Sequence, residues 1–194
     1  MTYAHTQRFE RADCSMSRRR LLACSGLALV ASLLPGSVFA HLRRSVTHEK
    51  SLAFYNTHTG ESLKIIYWVQ GEYVAEALGE INHLWRDYRV NEERSIDPEL
   101  LDLLFAMRAR LETRQPFHII SGYRSPATND RLYQQSKKVA KDSLHIVGKA
   151  VDIRLPGIST AMVRRVAMGL QRGGVGYYPR SNFVHVDTGR VRYW

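Results

Sequence analysis

Two short segments that alternate with a period of two constrain this chain more than anything else in it. Along Ala150-Val-Asp152-Ile-Arg-Leu155, Val151, Ile153 and Leu155 fall on one face of an extended strand, and Ala150 and Asp152 on the other. Along Phe183-Val-His185-Val-Asp187, Val184 and Val186 share a face, while Phe183, His185 and Asp187 share its opposite. Each strand thus offers an apolar face to a core and a second face that carries a metal-ligating residue type. If the strands are neighbours, Asp152 and His185 meet. His145 lies just before Gly148, where the chain can turn back over the first strand. Two imidazoles and one carboxylate form a donor set that leaves a catalytic zinc one open position for water. An acid in an apolar strand needs a partner of some kind in any case. Spacing alone therefore leaves a metal site and a set of separately hydrogen-bonded side chains as equal readings.

The rest of the chain predicts an α+β fold. Ser51 to Tyr55 and Leu63 to Val69 are rich in aromatic and β-branched residues and flank the turn-forming Asn56-Thr-His58-Thr-Gly60, which predicts a hairpin. Val74, Leu78, Ile81, Trp85 and Tyr88 recur at helical spacing and predict a helix over 72–88. Asp97-Pro98 opens a second helix, with Asp97 as N-cap and Leu100, Leu103, Leu104, Met107 and Leu111 as its buried stripe. Phe117 to Ser121 reads as a strand, Ser125-Pro126 as the start of a short helix, and Ser159 as the cap of a helix running to Gln171. Gly173-Gly-Val-Gly176 allows a close backbone approach before a final strand, Phe183 to Thr188. Without a strict βαβ repeat, these elements predict a mainly antiparallel β-sheet with helices packed to one side.

Before this domain stands a segment that reads as an address. Ser17-Arg-Arg-Arg20-Leu-Leu precedes an uncharged apolar run, Leu21 to Leu34, and Val38-Phe-Ala40 closes it with small outer residues. The order predicts a twin-arginine signal peptide over 1–40, cleaved after Ala40 and exported by the Tat route. A run of about 14 residues is short of the roughly 20 that span a bilayer, so no stable membrane insertion is expected after processing. Residues 41–50 read as a flexible lead-in and 51–194 as the working domain. Cys14 and Cys24 both fall in the signal. The exported chain would then have neither disulfide nor thiolate ligand, and any metal must be held by His, Asp or Glu. Removal of 1–40 leaves 23 Lys and Arg against 16 Asp and Glu. That balance suits an anionic polymer, but no basic run is interleaved with aromatics, so nucleic acid is not an expected partner. His5, His48, His58, His83 and His118 carry no comparable context and read as ordinary surface or hydrogen-bonded histidines.

Ser143-x-His145-x-x-Gly148-x-Ala150-x-Asp152 resembles the first zinc motif of the D-alanyl-D-alanine metallopeptidases, which share their fold with the hedgehog signalling domain. Ser121-Gly-Tyr-Arg124-Ser125 resembles the segment preceding that motif. The block from Gly173 to Gly189 resembles the C-terminal part of the periplasmic murein endopeptidases of this family. Asn56-Thr-His58-Thr-Gly60-Glu61 and Trp85-Arg-Asp-Tyr-Arg89 are similar to their N-terminal half. The resemblance implies a hedgehog/DD-peptidase-like fold and zinc bound by His145, Asp152 and His185. It implies that Arg124 binds a substrate carboxylate, a role suited to a planar guanidinium. Ser143 either bonds substrate or shapes the turn before His145. The implied activity is hydrolysis of peptidoglycan cross-links, at D-Ala–meso-diaminopimelate or meso-diaminopimelate–meso-diaminopimelate bonds, in the periplasm.

One departure from the family concerns the base. Relatives carry an acid three residues before the last ligand or a histidine two before it, and here those positions hold Asn182 and Phe183. Asp187, on the strand face of His185, is the candidate proton acceptor, or else it orients His185 through the other ring nitrogen. Asp142 is the reserve. Two alternatives accompany the endopeptidase reading: a carboxypeptidase that trims terminal D-Ala, and a wall-binding module that holds zinc without turnover.

Overall fold

The computed structural model describes residues 48–136 and 139–194. The expected signal over 1–40 and its cleavage point lie outside the described residues, as does the lead-in up to Thr47. The predicted hairpin forms from β1 (Glu49–Asn56) and β2 (Ser62–Val69), which pair antiparallel. Its turn is closed by the Asn56 carboxamide, whose oxygen accepts from the backbone N–H groups of His58 and Thr59. β1 starts two residues before the expected Ser51, so Glu49 and Lys50 belong to the sheet and not to a flexible lead-in.

The helix expected over 72–88 is shorter. Glu72–Tyr73 forms β3 against β2, and the helix proper, α1, runs from Ala75 to Leu84. The periodic residues at its ends have other employment. The Val74 N–H donates to the Tyr67 carbonyl, Trp85 is fully buried, and Tyr88 stacks on His58. α2 (Pro98–Arg110) matches its expected start, with the Asp97 carboxylate accepting from the Glu99 N–H at 3.0 Å. β4 (Phe117–Ser121), α3 (Pro126–Gln135) capped by Ser125, β5 (Ala150–Arg154) and α4 (Thr160–Leu170) capped by Ser159 follow in order.

The glycine-rich segment, expected to allow a close backbone approach, is itself a strand. β6 (Gly174–Tyr178) lies beside β7 (Phe183–Asp187), and β7 is followed by β8 (Arg192–Tyr193), so it is not the last strand. One sheet of eight strands results, ordered β3-β2-β1-β4-β5-β7-β6-β8, antiparallel throughout except for the β1–β4 and β6–β8 pairs. Val151, Ile153, Val184 and Val186 join Leu100, Leu104, Met107, Val163 and Ala167 in one buried cluster. Each large side chain buried there contributes about 1.5–3 kcal/mol. Among the described residues no helix is long and apolar enough to cross a membrane.

A polar knot ties the β1–β3 edge to α2. Asp102 accepts from Lys50 at 2.8 Å, from the Tyr67 hydroxyl at 2.9 Å and from the Tyr73 hydroxyl at 3.0 Å. Burial would raise its pKa, but these donors outweigh burial and hold it below the ordinary carboxylate value. Its stabilisation is thus fully present above the unfolded value of about 3.9 and is lost as pH falls through the lower folded value. Thermal melts recorded from neutral pH to below pH ~4 should therefore show a smaller acid-induced drop in Tm for Asp102→Asn than for wild type. Parallel curves would mean that the knot does not contribute to acid sensitivity.

Candidate metal centre

The site is assembled by the pairing of β5 with β7. Their antiparallel register sets Asp152 opposite His185 and Ala150 opposite Asp187, the juxtaposition that the alternation of both strands requires. His145 comes from a 3-10 turn, Leu144–Val147, which lies between α3 and β5. Gly148 ends that turn with φ +69°, and a Cβ there would stand 2.2 Å from the Ser95 carbonyl oxygen. Only glycine satisfies both conditions. Ser143 caps the turn through its side-chain oxygen, which accepts from the His145 N–H, and it also lines the cavity.

Three donor atoms converge. His185 Nδ1 lies 2.9 Å from Asp152 Oδ1, His145 Nε2 lies 3.3 Å from the same oxygen, and the two nitrogens stand 3.2 Å apart. The other ring nitrogens are engaged from behind. His145 Nδ1–H donates to the Gly122 carbonyl at 2.7 Å, and His185 Nε2–H donates to Asp187 Oδ2 at 2.9 Å. Each imidazole is thereby fixed in the tautomer that turns a lone pair toward Asp152. Two lone pairs and a carboxylate oxygen at this spacing repel unless a proton or a metal cation lies among them. Ligands about 2.0–2.1 Å from a tetrahedral ion are roughly 3.3 Å from one another, so the triangle fits a metal of that kind. His145, Asp152 and His185 are all buried.

The electrostatics follow from this crowding. Burial would raise the Asp152 carboxyl, but the charge and hydrogen bonds of His145 and His185 hold it far below the usual range. Burial pulls the His145 imidazole down, with Asp152 opposing. Burial acts likewise on His185, but hydrogen bonds to Asp152 and Asp187 outweigh it and raise that imidazole to about 9. Asp187 is fully buried, and it accepts from Gly174 N, Gly189 N, both terminal nitrogens of Arg192, and His185. Five donors saturate the roughly four lone-pair sites of a carboxylate. Asp187 does not line the cavity in front of the triad.

That cavity measures about 440 Å³ and opens over His145, Asp152 and His185. Arg124 reaches it from the loop after β4. Gly122 lets this loop pass tightly over Trp85, whose carbonyl accepts from Tyr123 N at 2.8 Å. Arg124 is 9% exposed, with Nη1 3.3 Å from Asn129 Oδ1, Nη2 3.3 Å from Ser121 Oγ and 3.7 Å from Asp152 Oδ2. Its Nε is buried without a partner among the described residues. Asp142 is exposed on the same wall. Tyr178, Trp194 and Arg192 also line the cavity and carried no signal in the sequence reading. Recognising β6 as a strand would have exposed Tyr178, two residues from Gly176 on one face. Trp194 enters only through the β6–β8 pairing. His48, His58, His83 and His118 lie apart from the cavity lining.

Comparison with known proteins places the chain beside a family of peptidoglycan enzymes. A family profile described as peptidoglycan L,D-endopeptidase MepK matches residues 44–194. The chain is 47% identical over 178 residues to the peptidoglycan L,D-endopeptidase MepK of Escherichia coli (strain K12), covering 92% of this chain and 97% of that protein. The MepK of Shigella flexneri gives the same figures. The probable peptidoglycan L,D-endopeptidase MepK of Haemophilus influenzae is 40% identical over 179 residues, covering 92% and 95%.

Two substitutions test the centre. His185→Ala should abolish stoichiometric divalent metal in the purified protein, measured by elemental analysis, and equal content in both proteins would remove the site. Asp187→Asn keeps the shape but weakens the hold on the His185 tautomer, so metal affinity in a chelator competition should fall about 10–100-fold.

Proposed function

The chain belongs to the peptidoglycan L,D-endopeptidase MepK family, and from that premise we propose that it is a zinc-dependent peptidase that cuts peptide cross-links of peptidoglycan. The observation that carries the reading is the triangle of buried donor atoms from His145, Asp152 and His185 at the floor of an open cavity. Zinc held there would polarise a peptide carbonyl and make water nucleophilic at neutral pH. The domain limits belong to this proposal: a Tat-type signal over 1–40 cleaved after Ala40, a short lead-in, and a zinc peptidase domain in the periplasm. So does the likeness of the α+β sheet, with helices to one side, to the hedgehog/DD-peptidase fold.

Around the metal each side chain has a separate task. His145 and His185 would present their other ring nitrogens to the ion, because Gly122 O and Asp187 Oδ2 accept the N–H of each ring. Arg124 is the anchor for a substrate carboxylate. It is pre-bent by Asn129 and Ser121, and its Nε has no other claim on it. Asp187 acts as the orienting residue, since a base needs a free lone pair at the cavity and its own are taken. Asp142 then becomes the candidate proton acceptor, being the carboxylate on the cavity wall besides Asp152. Ser143 holds the turn that carries His145.

The relatives' name specifies a bond between an L- and a D-centre. Of the two cross-links considered, the meso-diaminopimelate–meso-diaminopimelate bond has that configuration, whereas D-Ala–meso-diaminopimelate joins two D-centres. We therefore assign the former as the preferred substrate. A terminal D-Ala carboxypeptidase and a non-catalytic wall-binding module are the competing outcomes. Muropeptide analysis of digested sacculi separates all three. Loss of diaminopimelate-linked dimers that stops with a chelator and returns with zinc supports the endopeptidase. Loss of terminal D-Ala alone supports the trimming enzyme, and binding without any new muropeptide supports the module. Asp142→Asn should lower kcat about 10²–10⁴-fold, the range for removal of a general base, and an unchanged kcat would assign the proton elsewhere.

A further inference from the structure

We propose that the Tyr178 hydroxyl, held in place by the indole N–H of Trp194, donates a hydrogen bond to the carbonyl oxygen of the bond being cut. This rests on the peptidase reading above and adds a residue to it. In the β6–β7 register Gly176 faces His185 and Tyr178 faces Phe183. Tyr178 therefore projects from the same face of the sheet as the ligand His185, and it lines the cavity together with Arg124 and the three ligands. Its ring stacks on Phe183 with centroids 4.5 Å apart and 19° between planes.

Trp194 Nε1 lies 2.8 Å from the Tyr178 oxygen. An indole N–H can only donate, so the phenol oxygen accepts there and its own proton must point elsewhere. Among the described residues no acceptor takes that proton, and Tyr178 lines the cavity. The indole is itself fixed. Trp194 N donates to the Val175 carbonyl, Tyr177 N donates to the Trp194 carbonyl, and the Arg192 guanidinium sits 4.9 Å from the ring centroid. The Trp194 ring lies 5.3 Å from that of His185, over a Gly176 whose added Cβ would come within 2.7 Å of the indole. The phenol is thus aimed before substrate arrives, which is what makes a donor effective when negative charge develops on a carbonyl oxygen. Tyr178 keeps its proton throughout, so no base or co-reactant is needed.

The test uses the zinc-loaded full chain and a soluble cross-linked muropeptide dimer. Tyr178→Phe should lower kcat about 10²–10³-fold with little change in KM and unchanged metal content. Trp194→Phe keeps an aromatic ring but loses the N–H, and should lower kcat roughly three- to tenfold. Calorimetry with a phosphinate that replaces the scissile amide gives a readout independent of turnover. Tyr178→Phe should bind that anion more weakly while binding the cleaved products as wild type does. A Tyr178→Phe variant with wild-type kcat, or with raised KM alone and unaltered phosphinate affinity, overturns the proposal. Wild-type protein that cleaves nothing would instead end the peptidase reading, and the two failures are distinct.

Discussion

The Asp187 carboxylate is the interaction on which the rest of the site depends. It has no exposure, and it gathers donors from the start of β6, the turn after β7, Arg192 on β8, and His185. Burial alone would raise its pKa, but the hydrogen bonds from His185, Arg192 and the two backbone N–H groups hold it well below the usual range. An uncompensated charge at that position would cost several kcal/mol, so the four segments must arrive together. The same carboxylate fixes which nitrogen of His185 carries hydrogen. Strand assembly and ligand chemistry thereby share one group.

Asp87 plays a comparable part beside the loop that carries Arg124. It is buried and accepts from the Ser125 N–H at 3.0 Å and the Ser125 hydroxyl at 2.9 Å, which anchors the N-terminus of α3 just after Arg124. The backbone then crosses back to the turn that carries His145. Arg124 N donates to the His145 carbonyl, while His145 Nδ1 donates to the Gly122 carbonyl. The loop proposed to hold substrate and the turn that carries His145 are therefore cross-linked by two hydrogen bonds. Displacement of either would be felt by both.

The interior of the sheet was legible in the sequence because β5 and β7 alternate cleanly between core and site. Asp152 and His185 meet as their period of two requires. The helix starts at Asp97, Ser125 and Ser159 were also legible, each side chain accepting from a backbone N–H two or three residues ahead. β6 was not, because its glycines signalled only a close backbone approach and carry no alternating pattern. Their small size instead makes room for Arg192 and Asp187 at Gly174 and for the indole at Gly176. Helical spacing misled at Trp85 and Tyr88, where tertiary contacts with Phe54 and His58 hold side chains that only happen to fall in phase. Tyr178 and Trp194 could not be joined on the page, since 16 positions separate them and only a parallel pairing of β6 with β8 brings them together.

Gly148 presses against Ser95 so closely that a methyl group could not be added, and the Gly148 carbonyl accepts from Asp97 N at 3.0 Å. The loop leading into α2 is thus the seat on which the His145 turn rests, although none of its residues lines the cavity. Sequence drift at 95–97 would therefore be transmitted to the His145 turn without any change in the residues that line the cavity. Two homologues with the same ligands could differ in metal affinity for a reason that an inventory of ligands would not reveal.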